Sequence, residues 1–313
     1  MTTAITAVGT TELALLVDQA RVYAHASRSG NTRRAYAVQL ASWEAWCSGR
    51  QICPLPALGA SVALYLTDRA QQGASIATMA QSLAALSQAH TAAGHPSPRF
   101  TPEVQEVWKG IRRTHGVAQR QATPLTPAQL RSMAKLGTAR DRALMLLGFA
   151  GAFRRSELVG LDVGDVMESE DGLTVTIRRS KTDQEGKGRT VGIPYGSDPD
   201  TCAVRAVRTW MASLGRTDGP VFVGERHGKA TAHRLDGRDV ARLVQRLAKR
   251  AGVPLERLSG HSLRAGLATA AAKAGKSAQA IAKQTGHKSV AMVQRYIRDA
   301  ELFADNAASG IGL

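Results

Sequence analysis

The stretch from Thr285 to Arg298, TGHKSVAMVQRYIR, places a histidine and a tyrosine nine residues apart, with arginines close to the tyrosine on both sides. Aromatic residues make up only 4% of the 313 residues, so a tyrosine in this basic setting is unusual. Taken alone, His287 could be a buried core histidine and Tyr296 a packing residue. Their function therefore depends on which other side chains the chain supplies for the same site.

The chain carries a large excess of positive charge. Lys and Arg number 41 against 25 Asp and Glu, which gives a net charge of +16 at pH 7, and the segments before and after Thr123 are both basic. An excess of this size attracts polyanions, and binding would release counterions from a nucleic-acid backbone. Nucleic acid is therefore the first partner to consider, although a merely basic, soluble surface would give the same composition.

Several kinds of protein are disfavoured by what the sequence lacks. No run approaches the roughly 20 apolar residues of a membrane span. The opening MTTAITAVGTTELALL lacks the basic flank and cleavage site of a signal peptide, so we expect a cytoplasmic, nucleoid-associated protein with no membrane partner. Cys47, Cys53 and Cys202 have no metal-ligand spacing and are expected to be reduced, buried thiols. Zinc, P-loop and dinucleotide-binding patterns are missing, so we predict no cofactor and no metal.

The first third of the chain is predicted to be helical. Five segments between residues 10 and 115 carry apolar residues at three- and four-residue spacing, and stretches rich in glycine, proline and serine separate them. We therefore predict a domain of four or five helices over residues 10–115. Tyr36, Leu40, Trp43 and Trp46 share one helical face, which favours a role in the core over nucleotide stacking.

Arg33 and Arg34 stand at the start of the helix that carries this face. The N-terminus of a helix is the positive end of its dipole, so two arginines are unfavourable there unless an anion such as a phosphate lies close by. This placement predicts that Arg33 and Arg34 contact DNA.

Residues 116–126 show no periodicity and are predicted to be a linker, followed by a second domain over residues 127–313. A helix should begin at Thr126, with proline just inside it. The alternating run LTVTIRRS and the run RTVGIP, separated by a charged tip, predict a β-hairpin. From DTCAVRAVRTWMASL onward the pattern is again mostly helical. The predicted fold class is mainly α with two domains, the second of them mixed α+β with a small antiparallel sheet.

Six polar side chains of the second domain are candidates for chemistry. Each has an ordinary explanation when taken singly: a solvated helix residue, a hairpin-tip charge, a helix cap, a core histidine or a packing tyrosine. The six are Arg154 in GAFRRSELVGL, Lys181 in RRSKT, His261 and Arg264 in GHSLRAG, and His287 and Tyr296 in the stretch quoted above. Their order and spacing together point to a common function.

The ordered set resembles the tyrosine site-specific recombinases, also called phage integrases. GAFRRSEL is similar to the family's first-arginine motif, with the arginine at Arg154 and an acid at Glu157, although Arg155 occupies a position that is usually apolar. GHSLRAGLAT is similar to the family's His-x-x-Arg motif and resembles that of its Cre-like members in particular. TGHKSVAMVQRYI is similar to the last motif, and Lys181 matches the mobile hairpin lysine. The resemblance covers nearly the whole chain.

The resemblance implies a fold, a reaction and a role for each side chain. It implies an N-terminal helical core-binding domain of SAM-like fold, a C-terminal catalytic domain, and strand exchange through a 3′-phosphotyrosyl intermediate without ATP or metal. Attack on a phosphodiester spreads negative charge over the non-bridging oxygens, and fixed guanidiniums stabilise that charge. The implied roles are a phosphate clamp for Arg154 and Arg264, nucleophile for Tyr296, general base for His261, general acid for Lys181, hydrogen-bond donor to the phosphate for His287, and orienting support for Glu157.

The resemblance also implies partners, and it leaves rivals open. Double-stranded DNA with an inverted-repeat core site, a homodimer on one site and a homotetramer joining two sites are expected. One rival is a DNA-binding protein of the same fold that does not cut, which loss of any one catalytic side chain would have favoured. The other is a type IB topoisomerase or hairpin resolvase with the same chemistry, which relaxation of a plasmid without a specific site would reveal.

Overall fold

The computed structural model describes residues 11–116, 122–180, 188–287 and 289–301. By its internal contacts the chain divides into two compact units, Met1–Gln119 and Arg120–Leu313. The division falls inside the segment predicted as a linker. None of the helices in the described part of the chain is long and apolar enough to cross a membrane.

The first unit is helical, as the apolar spacing predicts. Side chains of Ser29 and Ser75 cap the second and fourth helices by accepting from the backbone N–H groups of Thr32 and Thr78 at 3.2 and 3.1 Å. Pro102 opens the fifth helix, where a missing N–H leaves no bond unmade. The helices of the described residues are α1 (Thr11–Ala26), α2 (Gly30–Ser48), α3 (Gly59–Gln71), α4 (Ile76–Ala92) and α5 (Pro102–His115).

Aromatic side chains of α2 and α3 form the centre of the core of the first unit. Trp43 is 1% exposed, stacks on Trp46 with ring centroids 5.6 Å apart, and meets Tyr65 edge-on at 5.2 Å. Both indole N–H groups find acceptors, the Pro54 carbonyl at 3.0 Å for Trp43 and the Asp68 carboxylate at 2.6 Å for Trp46. The predicted core role is confirmed for Leu40, Trp43 and Trp46, which pack in this core, whereas Tyr36 is half-buried and lies outside it.

The second unit packs its helices around a core centred on α7 and α9. Leu144 and Leu147 of α7 are fully buried, as are Val204 and Val207 of α9. The helices of its described residues are α6 (Pro127–Lys135), α7 (Ala139–Ala150), α8 (Arg155–Val159), α9 (Ala203–Leu214), α10 (Gly237–Arg250), α11 (His261–Lys273), α12 (Ala278–Thr285) and α13 (Gln294–Glu301). The unit is mostly helical with a small sheet, which confirms the predicted fold class.

The predicted hairpin forms the larger sheet of the second unit. Strands β1 (Val166–Ser169), β2 (Gly172–Ile177) and β3 (Arg189–Pro194) pair antiparallel in the order β1-β2-β3. Alternate side chains of β2 and β3 are buried against the helices, which is the pattern expected of a half-covered sheet. The strand ends of β2 and β3 flank the segment that carries Lys181, and Lys181 itself lies outside the described residues.

Three strands were not predicted. β1 is only four residues long and buries only its first residue, so it shows no alternation. The hairpin of β4 (Val223–Arg226) and β5 (Lys229–Arg234) lies where we expected mostly helix. β5 has no buried residue, so no hydrophobic pattern marks it, and its backbone pairing with β4 alone defines it.

The prediction for the three thiols is wrong at one position. Cys47 and Cys202 are buried free thiols, as expected, but Cys53 is exposed. Cys53 follows α2 in the turn-forming segment before α3, and its thiol donates to the Leu55 carbonyl at 3.4 Å. A residue in such a connection has no core to enter, because connecting segments run over the surface.

Candidate active site

The short helix α8 places a buried carboxylate beneath Arg154, the residue that precedes it. Glu157 is 3% exposed and accepts the Arg154 backbone N–H at 2.9 Å and the Arg154 Nη1 at 2.6 Å. Burial by itself raises the pKa of Glu157, but the hydrogen bonds from Arg154 and the charges of Arg154 and Arg189 outweigh burial and lower the pKa. Glu157 is therefore ionised at neutral pH and orients the Arg154 guanidinium.

Arg264 lies one turn into α11 and is 3% exposed. Its Nη1 donates to the Ala152 carbonyl at 2.9 Å and to the Thr285 carbonyl, so one guanidinium ties α11 to the turn after α7 and to the end of α12. Burial, and then the charge of Arg154, lowers the Arg264 pKa to about 10. The group still carries its charge at neutral pH, and the influence of Arg154 shows that the two cations share one environment.

Close approach of α11 to its neighbours depends on Gly266, two residues after Arg264. A Cβ at this position would lie 2.3 Å from the Leu125 carbonyl oxygen and 2.8 Å from the Phe149 ring. Only glycine leaves room for this contact, so the second glycine of GHSLRAG fixes the depth at which Arg264 sits.

His287 lies in the turn after α12 and is held at both ring nitrogens. Nδ1 lies 2.7 Å from the Thr285 hydroxyl and Nε2 lies 3.0 Å from Nη2 of Arg264. A guanidinium can only donate, so Nε2 accepts. The Thr285 hydroxyl donates to the Ile281 carbonyl at 2.7 Å, which leaves its oxygen to accept an N–H from Nδ1. His287 is therefore a neutral imidazole with its proton on Nδ1.

The electrostatics of the site agree with a neutral His287. Burial, followed by the charges of Arg264 and Arg154, lowers its pKa from an ordinary value near 6.5 to about 4. In this arrangement Nε2 accepts from Arg264 and does not donate. Donation to a phosphate from Nε2, the role implied from the sequence, requires that Nε2 lose its bond from Arg264 and carry a proton, either because the ring gains a second proton or because the Nδ1 proton moves to Nε2.

Tyr296 lies on α13, next to His287. The two rings have centroids 6.2 Å apart, and the guanidinium carbon of Arg295 lies 5.3 Å from the centre of the Tyr296 ring. The tyrosine is half-buried because α13 packs on α11 through a small apolar cluster that includes Ala268 and Val293. The nine-residue spacing noted in the sequence thus brings the imidazole and the phenol into one site.

The structure brings most of the candidate residues of the second unit together. Arg154, Glu157, Arg264, His287 and Tyr296 converge through the contacts and charges described above. His261 is exposed at the first position of α11, one turn before Arg264. Lys181 lies outside the described residues.

Arg33 and Arg34 lie in the first unit and have contacts of their own. The Arg33 Nη1 donates to the carbonyls of His25 at 2.6 Å and Arg28 at 3.1 Å, and Arg34 donates to the Asn31 side chain at 2.5 Å. Arg33 therefore joins the end of α1 to the start of α2, which accounts for a cation at this helix start without an anion. Contact of either arginine with DNA remains a prediction.

Arg189 contacts the site but belongs to none of the sequence motifs described above. This first residue of β3 donates from Nη2 to the Glu157 carboxylate at 3.3 Å and from Nη1 to the Gln284 carbonyl at 3.2 Å. In the sequence Arg189 resembles any charged residue at the edge of a hairpin. Its position at the start of a half-buried strand was the one signal that its side chain could lie inside the site. In the described part of the chain, His, Cys, Asp and Glu side chains form no group of three that could hold a metal ion.

Solved structures with the same fold are recombinases and integrases. A XerH site-specific recombinase bound to a palindromic difH substrate matches with a TM-score of 0.64 at 20% identity, over 86% of this chain and 76% of that one. A lambda integrase (75–356) dimer bound to a COC′ core site matches with a TM-score of 0.63 at 19% identity, over 91% and 94%. At these identities the likeness establishes the two-domain fold.

Sequence similarity establishes the family as well as the fold. Residues 121–302 match the phage integrase family. The chain is 36% identical over 292 residues to an integrase/recombinase xerD homolog of Selenomonas ruminantium, covering 90% of this chain and 85% of the relative. It is 26% identical over 283 residues to the recombinase cre of Escherichia phage P1, covering 82% and 81%. The chain therefore belongs to the phage integrase family and is a tyrosine recombinase, an enzyme of site-specific DNA recombination.

Proposed function

We propose that this enzyme breaks and rejoins DNA strands through a covalent 3′-phosphotyrosyl intermediate formed on Tyr296. The observation that carries the proposal is the convergence of a buried arginine, Arg264, a half-buried arginine, Arg154, a neutral histidine and a half-buried tyrosine at one site. A non-catalytic DNA-binding protein has no need to bury cations beside a phenol, because burial of a charge is costly.

The two arginines supply a place for the scissile phosphate. Arg154 and Arg264 each offer a planar fork of N–H donors that matches two phosphate oxygens. Both are fixed before DNA arrives, Arg154 by Glu157 and Arg264 by two carbonyls. Donors held in advance stabilise the charge that develops on the non-bridging oxygens without reorganising during the reaction.

Tyr296 is the proposed nucleophile. A phenol with an ordinary pKa near 10 is mostly protonated at neutral pH, so its proton must pass to a base as the oxygen attacks phosphorus. His261 is the proposed base, because it is exposed at the start of the helix that carries Arg264. The O–P bond to Tyr296 then forms as the bond to the 5′-oxygen breaks.

The departing 5′-oxygen needs a proton, and Lys181 is proposed to supply it. His287 is proposed to donate to the same phosphate once its Nε2 has released the bond from Arg264 and carries a proton. The energy of the broken phosphodiester stays in the phosphotyrosyl bond, so the free 5′-hydroxyl of a partner duplex can attack it and reseal a strand. This sequence of steps balances without ATP and without a metal ion.

The proposed substrate is double-stranded DNA with an inverted-repeat core site, bound by two copies of the protein, with four copies joining two sites. The net charge of +16 supports a polyanionic partner. The similar structures contain a palindromic substrate in one case and a dimer on a core site in the other. A topoisomerase or hairpin resolvase would use the same side chains, and the test below separates it by its lack of a fixed recombination product.

The test is covalent trapping with the wild type and Tyr296→Phe. Fragmented genomic DNA is incubated with each protein and denatured, and the DNA that stays attached to protein is sequenced. We expect the wild type to retain fragments that share one inverted-repeat sequence, and two such sites on one plasmid to recombine. Tyr296→Phe should bind the same DNA and retain none covalently. Retention by Tyr296→Phe would show that another residue is the nucleophile, and plasmid relaxation without recombination would favour the topoisomerase.

A further inference from the structure

Arg189 is a half-buried cation that no proposed chemical step uses. Its side chain is 21% exposed, and burial lowers its pKa. Its buried Nε finds no hydrogen-bond partner among the described residues. Its Cα pairs with Ile177 at the last position of the β2–β3 ladder before the segment of Lys181. A cation kept at such a cost must contribute to the surrounding structure or to its function.

The guanidinium of Arg189 joins two parts of the site that are far apart in sequence. One nitrogen donates to Glu157, whose other oxygen holds Arg154 at 2.6 Å. The other nitrogen donates to the carbonyl of Gln284, the residue before Thr285. Thr285 in turn contacts both Arg264 and His287. The Arg189 guanidinium thus connects Glu157, which holds Arg154, to the backbone at the end of α12, which holds Arg264.

The turn that carries His287 is built against the same guanidinium. Gly286 has a φ of +64°, a left-handed conformation that favours glycine. A Cβ at Gly286 would lie 2.7 Å from Nε and 2.9 Å from Cζ of Arg189. Glycine at 286 therefore allows this turn to rest directly on Arg189.

We propose that Arg189 is a positioning residue that holds the Arg154–Glu157 pair and the His287 turn in register with each other. The inference rests on the function proposed above for the same site. Lysine would keep the charge but lack the rigid fork that donates to two acceptors in fixed directions. A displacement of about 1 Å in a group that stabilises a transition state can slow a reaction by about 10²-fold. The expected effect is therefore on strand cleavage and not on DNA affinity.

The test compares Arg189→Gln and Arg189→Lys with Arg178→Gln as a matched control. Arg178 follows β2 on the other side of the same hairpin and pairs with Asp162 and Asp165 instead of Glu157. For each variant we would measure the single-turnover rate of adduct formation and the DNA dissociation constant, using DNA that trapping with the wild type has recovered. The thermal unfolding of each protein is measured as well. Arg189→Gln should cleave about 10–100-fold more slowly, Arg189→Lys should also be slow, and both should bind DNA normally. Arg178→Gln should cleave like the wild type.

A double-mutant cycle separates positioning from a general loss of stability. In a Glu157→Gln background the carboxylate that Arg189 holds is already lost, so adding Arg189→Gln should slow cleavage much less than it does alone. Equal slowing in both backgrounds would contradict positioning through Glu157. Wild-type cleavage by Arg189→Lys, or DNA affinity lost in parallel with cleavage, would also overturn the inference. Failure of the wild type to form any adduct would refute the proposed function instead.

Discussion

Two of the arginine–carboxylate clusters among the described residues of the second unit, one around Glu157 and one around Asp162, differ in burial and in charge balance. In the first, Arg154 and Arg189 share the Glu157 carboxylate, with Arg264 close enough to be affected by their charges. In the second, Arg178 and Arg234 are paired with Asp162 and Asp165, and their side chains are 56% and 38% exposed. Counted over the described residues alone, the first cluster has three cations for one anion, and the second is balanced.

The balance of charge separates a site from a structural contact. Exposed and balanced ion pairs contribute little and need no further partner. A buried surplus of positive charge is unfavourable until an anion enters, because the cations repel each other where water is scarce. The arrangement around Glu157 is therefore suited to receive a phosphate, and the arrangement around Asp162 fastens the β-sheets to the helices.

In the sequence Lys181 stands between Arg178 of the second cluster and Arg189 of the first. Its proposed role as general acid predicts the largest change in cleavage rate. A 5′-alkoxide is a poor leaving group, so Lys181→Ala should slow cleavage by roughly 10²–10⁴-fold. Replacement of the bridging 5′-oxygen by sulfur gives a thiolate that leaves without a proton, since thiols have a pKa near 8.5. Lys181→Ala should therefore cleave the sulfur-bridged DNA at nearly the wild-type rate in a single-turnover assay.

The control for this experiment is Arg154→Ala on both substrates. Arg154 stabilises oxygens that the sulfur does not replace, so this variant should be slow on both. If the sulfur-bridged substrate does not restore cleavage by Lys181→Ala, Lys181 is a binding residue, and another group such as Lys187, six residues later in the sequence, supplies the proton.

Arg264→Gln and Arg234→Gln compare the two clusters directly. Loss of one fixed donor to the transition state costs about 10²–10³-fold in rate, so Arg264→Gln should slow adduct formation by that factor. Arg234→Gln removes a cation from the balanced cluster and should leave the rate close to that of the wild type. Equal slowing in the two variants would mean that charge balance does not distinguish the clusters.

The pH dependence of stability tests the protonation state of His287. The His287 pKa is about 4 in the folded protein and near 6.5 in the unfolded chain, so the unfolded chain binds an extra proton between these values. The free energy of unfolding should therefore fall as pH is lowered from about 6.5 to about 4, and this contribution should level off below. His287→Gln should remove it in denaturant titrations at several pH values. An unchanged slope across this window would show that His287 is not a buried neutral imidazole.

Much of the fold and of the site could be predicted from local sequence. The helices of both units and the β2–β3 hairpin follow from apolar spacing, and the motifs that carry Arg154, Arg264, His287 and Tyr296 are each contained in about ten residues. Arg189 could not be found in this way, because its partner Glu157 lies 32 residues away and its other partner, the Gln284 carbonyl, 95. The acceptor role of His287 likewise depends on Arg264, which stands 23 residues earlier in the chain.

The unpredicted β4–β5 hairpin shows the same limit for secondary structure. Apart from the buried Val223, its residues are charged, small or polar and either exposed or half-buried, so no period of two appears in the sequence. The β4–β5 hairpin contacts the balanced cluster through the Arg234 side chain. This guanidinium donates a hydrogen bond to the Val159 carbonyl at 2.8 Å and forms an ion pair with Asp162. A strand held by its backbone pairing and one long side chain leaves no hydrophobic pattern.

We propose that the partly buried surplus of positive charge around Glu157 holds a DNA phosphate for attack by Tyr296. The most direct measurement is mass spectrometry of the covalent adduct after digestion with nuclease and protease. We expect the peptide containing Tyr296 to carry a nucleotide through its 3′-phosphate, and the adduct to be absent with Arg264→Gln at the same short reaction time. A nucleotide attached to any other residue, or cleaved DNA with no protein adduct, would show that Tyr296 is not the nucleophile.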